Sequence, residues 1–273
     1  MKKYINIYSL LSFLCCGALL FLSWGLSSRV FEYLIFNTRT ELGGSQAAFE
    51  ISFGFSNCMI EGFAIMQLAL PLLAVFCAGS FFRLCTGYYN NAKPRIKRYH
   101  RFVGKDILKI SMTASLALFG GFLTFYLFGL LTHPIVVDPN YSRSFLGDVF
   151  GNNFSWQNPA LYFLLEGIYK YLLFPFVYCA FACTVYWFFR KYYLSLLLPL
   201  GYYVVLTILV TTIRPAFYES GLSSIFDLFS PSRMLMMGTE GENVPFYAPL
   251  ISLIPPVIAS AIFFWRGSVY EKK

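Results

Sequence analysis

Basic side chains crowd one short stretch of this sequence. In RLCTGYYNNAKPRIKRYHRFVGKDILK, residues 83–109, stand Arg83, Lys93, Arg95, Lys97, Arg98, Arg101, Lys105 and Lys109, with Asp106 the only acid among them. Guanidinium and ammonium groups at this density bind phosphate or carboxylate, so nucleic acid, an anionic membrane surface and an acidic partner surface are the chemistries to weigh. A second pairing is Glu166 with Lys170. Their i,i+4 spacing puts opposite charges on one helix face, the pattern of an ion pair at a helix end, with a role at a substrate entrance as the alternative. Motifs for bond-making chemistry are missing. The chain has no GxxxxGK[ST]: Val103-Gly104-Lys105-Asp106 lacks the first glycine and the Ser/Thr. It has no HExxH and no GxSxG, and its two histidines, His100 and His133, have no partner at metal-ligand spacing. Of seven cysteines, all but Cys58 fall in or beside apolar runs and none forms a CxxC, which reads as small apolar packing.

The elements that must carry these residues are apolar. Of 273 residues 58% are hydrophobic and 12% charged, where a soluble domain carries about 25% charged residues. Six runs without a charged side chain reach the roughly 20 residues that cross a bilayer: 8–26, 62–82, 110–131, 171–189, 194–213 and 247–265. Soluble helices need a polar face, so six such blocks predict an all-α integral membrane protein, a single domain over 1–273. Lys2 and Lys3 precede the first run, but no small-residue cleavage pattern follows it, and it is read as a retained span rather than a leader.

Charge then orients the chain. With both termini cytoplasmic, 15 of the 21 Lys and Arg face inward and 11 of the 13 acids face outward. Loops rich in Lys and Arg stay inside, so the net charge of +8 is explained by topology without nucleic acid, which a segment tethered to spans on both sides is ill placed to bind. Three outer connections, 27–61, 132–170 and 214–246, are long; the inner connection 190–193 is a tight hairpin. Apolar patches at 224–229 and 234–237 predict short outer or re-entrant helices between spans five and six.

The basic loop has a pattern of its own. Pro94 suits a first helical turn, Asn90 or Asn91 a cap, and Ile96, Tyr99 and Phe102–Val103 recur at helical spacing between the cations. That predicts a short amphipathic helix on the inner surface, where each cation gains about 1 kcal/mol from anionic lipid. Spans without Asp, Glu, Lys or Arg argue against an ion-coupled carrier, which needs ionisable groups at membrane depth. Neither the Arg repeats of a voltage sensor nor a TVGYG-like filter is present. The chain therefore reads as a transport scaffold, either passive or driven by another subunit.

The stretch FFRLCTGYYNNAKPRIKRYHRFVGKDILKIS resembles the connection between spans two and three of ABC-2 type transporter permeases. Gly87-Tyr88-Tyr89-Asn90-Asn91 is similar to its first part; Arg98 or Arg101, with Phe102 and Lys105, is similar to the Arg-x-x-aromatic-x-x-Lys pattern leading into span three. Six spans, the hairpin in WFFRKYYLSLLLP and the segment DLFSPSRMLMM fit the same family. The resemblance implies a bacterial plasma-membrane permease that is not itself an enzyme. A coupling helix between spans two and three, with Tyr88, Asn91, Arg95, Lys97, Arg98, Arg101 and Lys105, would dock on a separate ATP-binding subunit. ATP and Mg would sit on that partner, with no cofactor or metal on this chain. A second permease chain, alike or related, would complete the pathway, with small residues such as Ala74 and Ala78 at span contacts. The implied substrate is an amphiphilic peptide, antibiotic or lipid. MKKYINI is shorter than the usual helix before span one, and Gly87-Tyr88 replaces an acidic residue, which fits compact permeases of peptide export or bacteriocin self-protection. The rival reading is an ATP-independent carrier or a membrane enzyme, for which only Gln67, Thr113, Ser115, Thr124, Thr184 and Thr207 offer polar groups inside the runs.

Overall fold

The computed structural model describes residues 7–27, 54–89, 95–96, 99–136, 145–151, 153–213, 230–236 and 246–270. Among them no strand occurs, and six helices are long and apolar enough to cross a membrane: α1 Ile7–Ser27, α2 Met66–Tyr89, α3 Tyr99–Thr132, α4 Pro159–Phe189, α5 Tyr192–Thr212 and α6 Ala248–Val269. Helix is the form that satisfies every backbone N–H and C=O within its own segment, as lipid demands. The chain is a multi-pass helical membrane protein.

Each expected run overlaps one of these helices, but several boundaries differ; the run expected from residue 62 enters α2 only at Met66, its first residues closing the helix Phe55–Phe63. α2 continues through a π-helical turn, Cys85–Tyr89, so Gly87 and Tyr88 are helical rather than loop. α3 begins at Tyr99 and runs unbroken through the basic turns into the apolar ones. Residues 99–109 are therefore the first turns of the third span, not part of a separate surface helix. α4 begins at Pro159, twelve residues before the expected start. Asn158-Pro159 opens it: proline at a first helical position loses no hydrogen bond.

α4 sits at the centre, packed by α2, α3, α5 and α6, and α1 lies along α3. α2 and α4 bury the largest share of their surface and α5 the least, leaving Val204, Val205 and Ile208 exposed on its outer side. Two aromatic clusters divide the interior. One joins Phe63, Phe122, Tyr171, Phe174 and Tyr178; the other joins Phe81, Tyr89, Tyr99, Tyr186 and Trp187. Ala74 and Ala78 on α2 are fully buried. α1 and α3 approach at glycine: a Cβ on Gly121 would lie 2.9 Å from the Phe13 carbonyl oxygen and 3.1 Å from the Gly17 nitrogen.

Both ends of the bundle can be traced. At one end Tyr8 lies against Gly79, Tyr99 against Trp187 at 5.8 Å between ring centres, and Phe264 against Gly104. The start of α1 and the close of α6 therefore share an end with the α2–α3 junction. At the other end the helix Phe55–Phe63 precedes α2. The Ser23 hydroxyl of α1 donates to the Glu61 carbonyl at 2.6 Å and accepts from Ile65 N–H at 3.2 Å, holding the break between the two helices. A further short helix, Pro231–Met236, packs on α2, α5 and α4, with Ser232, Met234 and Leu235 buried. It falls where short helices between spans five and six were expected; residues 224–229 lie outside the described residues.

Candidate functional site

The residues expected to dock a partner are partly in view. Tyr88 is exposed on the π-helical turn that ends α2, its ring 6.2 Å from that of Phe102. Arg95 is exposed in the connection, and Arg101 and Lys105 are exposed one turn apart on α3. Asn91, Lys97 and Arg98, with Pro94, lie outside the described residues. The structure thus brings Tyr88, Arg101 and Lys105 to one junction. Arg83, Lys109, Arg190, Lys191 and Arg266 are exposed at the same end, and the Arg190 guanidinium lies 4.2 Å from the Trp187 ring centre.

The junction is fastened from beneath. Tyr89 Oη donates to Asp106 Oδ2 at 2.8 Å, and both residues are about 1% exposed. This bond ties the last turn of α2 to the early turns of α3, beneath the exposed cations. Sequence reasoning placed Asp106 only as the one acid of the basic stretch; its helical offset from Val103 and Ile110, both core residues, was the signal that it faces inward. Tyr89→Phe removes a hydrogen bond to a charged acceptor and is expected to cost about 1.5–3 kcal/mol. Thermal unfolding in detergent checks it, and an unchanged midpoint would detach Asp106 from the junction's stability.

The second constellation lies inside the bundle. Glu166 and Lys170 are 0% and 2% exposed, with Lys170 Nζ 2.5 Å from Glu166 Oε1 and 4.7 Å from the centre of the Phe63 ring. They are an ion pair, as their spacing predicted, but within α4 rather than at its end. Gly167 beside them packs so tightly on Phe122 that a Cβ would fall 2.2 Å from that ring, and Tyr171 stacks on Phe122 at 4.9 Å. Phe122 is about midway along the uncharged stretch of α3 between Lys109 and Thr132. Charge is therefore present at the depth of an apolar run, which corrects the expectation that the spans carry none.

A backbone feature coincides with the pair. Residues Ile168–Leu173 form a π-helical segment inside α4, followed by Pro175. Proline has no N–H, and its ring crowds the carbonyl four residues back, here Tyr171. A wider turn relieves that crowding, and such π segments recur at functional sites. Glu166 Oε2 has no hydrogen-bond partner among the described residues.

Two ionisable groups flank this end outside the spans. Burial raises the Glu61 carboxyl from 4.5 to about 7 and holds the His133 imidazole below its usual range. A carboxyl that binds its proton more tightly when folded contributes stability at low pH, and that contribution is lost as pH rises from about 4.5 through about 7. Glu61→Gln is expected to flatten the pH dependence of unfolding in that window, read as the thermal midpoint in nanodiscs. Among the described residues no group of three or more His, Cys, Asp or Glu is placed to hold a metal ion. No family model, no curated protein and no solved structure matches this chain.

Proposed function

We propose that this chain is the membrane-spanning permease of an ATP-driven transporter of the ABC-2 type. Its termini and its α2–α3 junction face the cytoplasm of a bacterial cell, and a separate ATP-binding subunit docks on the junction. One observation carries the reading: Arg83, Arg95, Arg101, Lys105 and Lys109 are exposed around the α2–α3 junction, while Asp106, the acid between them in the sequence, is turned inward. A surface with cations outward and its own acid withdrawn suits an acidic partner surface or anionic lipid. Charge asymmetry along the sequence supports the orientation. ATP and Mg belong to the partner subunit, a second permease chain completes the pathway, and the substrate is an amphiphilic peptide, antibiotic or lipid. The test is purification of the chain from its own membrane. A stoichiometric companion carrying a GxxxxGK[ST] motif, lost when Arg101 and Lys105 become Ser while insertion is intact, supports the reading. Full transport by the lone chain in proteoliposomes overturns it.

A second reading, an ATP-independent carrier, is favoured by the Glu166–Lys170 pair. Coupled carriers place ionisable groups inside their spans, because the ion must be bound and released there. Transport by the lone chain, driven by an ion gradient and lost in Glu166→Gln, would select it.

A further inference from the structure

We propose that Glu166 is a proton-binding site within α4, with Lys170 as its counter-charge and the π-helical segment as the element that lets the two part. The proposal rests on neither transport reading. An ionised carboxylate in a dry interior needs hydrogen-bond donors on both oxygens. Here Oε1 faces Lys170 and Oε2 has no hydrogen-bond partner among the described residues. The surroundings are aromatic: Phe63, Phe122 and Tyr171. A carboxylate so sparsely served is stable only while the ammonium stays beside it. When that contact opens, a proton delivered from solvent H3O+ to Oε2 leaves a neutral acid and a water molecule, and no other bond changes.

The structure also supplies the means of opening. Lys170 lies within the Ile168–Leu173 segment, whereas Glu166 lies in the regular turn before it. A π turn holds one residue more than an α turn. A shift of the wide turn along α4 swings Lys170 relative to Glu166 without breaking the helix. The ammonium keeps the Phe63 face at 4.7 Å, a cation–π contact that holds its charge with the carboxylate withdrawn. Titratable residues on the neighbouring elements include Cys16 on α1, Cys77 on α2, Cys58 and Glu61 on the helix Phe55–Phe63, Tyr126 on α3, and Tyr202 and Tyr203 on α5; Tyr162, Tyr169, Tyr171 and Tyr178 are on α4 itself. Arg233 is the charged residue in the sequence of the helix Pro231–Met236. Glu61 and the buried Asp106 are the acids that must be separated from Glu166 in any measurement.

Infrared spectroscopy of the full chain in lipid nanodiscs makes that separation. In Glu61→Gln protein, a protonated-carboxyl C=O band is expected to appear on acidification, to exchange slowly in D2O, and to be lost in E61Q/E166Q. Should that double variant not fold, E61Q/E166D replaces it and is expected to move the band in frequency. Lys170→Met is expected to change how the band responds to pH. A band unchanged by both Glu166 variants overturns the site, as does the absence of any Glu166-dependent band over the pH range in which the protein stays folded. An unmoved midpoint in Lys170→Met overturns the counter-charge. ATPase co-purification is untouched by these outcomes, so failure of this site and failure of the permease reading remain distinct results.

Discussion

Lys170→Met is expected to destabilise the protein by about 3–5 kcal/mol at neutral pH. The variant leaves Glu166, which is 0% exposed, without an ammonium at Oε1, so the folded protein must either hold a bare buried carboxylate or take up a proton there. Methionine fills nearly the same volume as the lysine stem, so packing against Phe63 is kept and the charge is what has been removed. The control is the double variant E166L/K170M, which removes both charges. Buried ion pairs exchanged for apolar side chains are commonly neutral or stabilised by about 1–4 kcal/mol, because desolvating two ions costs more than their attraction returns. The ordering wild type close to the double variant, and both well above the single one, is the signature of a desolvated pair. Reversible unfolding in mixed micelles measures it. A single variant as stable as wild type would mean that the carboxylate draws no support from Lys170. A double variant that is stable yet loses transport would assign the pair to function rather than to folding.

That pair also marks where the sequence was readable and where it was not. Counting apolar runs found all six long helices, since twenty uncharged residues have no other stable form in lipid. The same count cut α4 short at Tyr171, because a run is ended by any charge. It has no means of knowing that Glu166 and Lys170 neutralise each other on one face, although their i,i+4 spacing was visible. With the cut removed, Asn158-Pro159 is the start of the helix. At the α2–α3 junction the cations were legible as a cluster, but helical spacing around Pro94 predicted a separate surface helix. Tyr99 instead opens the third span, because its ring is wanted in the core against Trp187 and Tyr89. The Tyr89–Asp106 bond joins residues 17 apart in sequence, and no periodicity announces it.

Close helix contacts were harder still to read, and Gly121 is the sharpest case. Gly121→Ala is expected to cost about 1–3 kcal/mol, with Gly121→Leu preventing the native packing of α1 on α3. A Cβ there would stand 2.9 Å from Cys16 Cβ, 2.9 Å from the Phe13 carbonyl oxygen and 3.1 Å from the Gly17 nitrogen. Two of those three atoms are backbone, so no rotamer change makes room and α1 must move away. In lipid such close approach is what small residues give a helix pair, since hydrocarbon offers no hydrophobic drive to bring helices together. Cys16 and Leu118 would be disturbed with it, as the thiol of one donates to the carbonyl of the other at 3.4 Å. Gly201→Ala is the matched control: on α5 a Cβ at Gly201 meets nothing within 4 Å, and alanine there is expected to be neutral or stabilising by about 0.5–1 kcal/mol. Thermal unfolding of both variants in the same lipid separates contact from helix propensity. Equal effects at the two glycines would mean that backbone freedom, not the α1–α3 approach, sets the stability, and a wild-type midpoint for Gly121→Ala would place α1 farther from α3 than 2.9 Å allows.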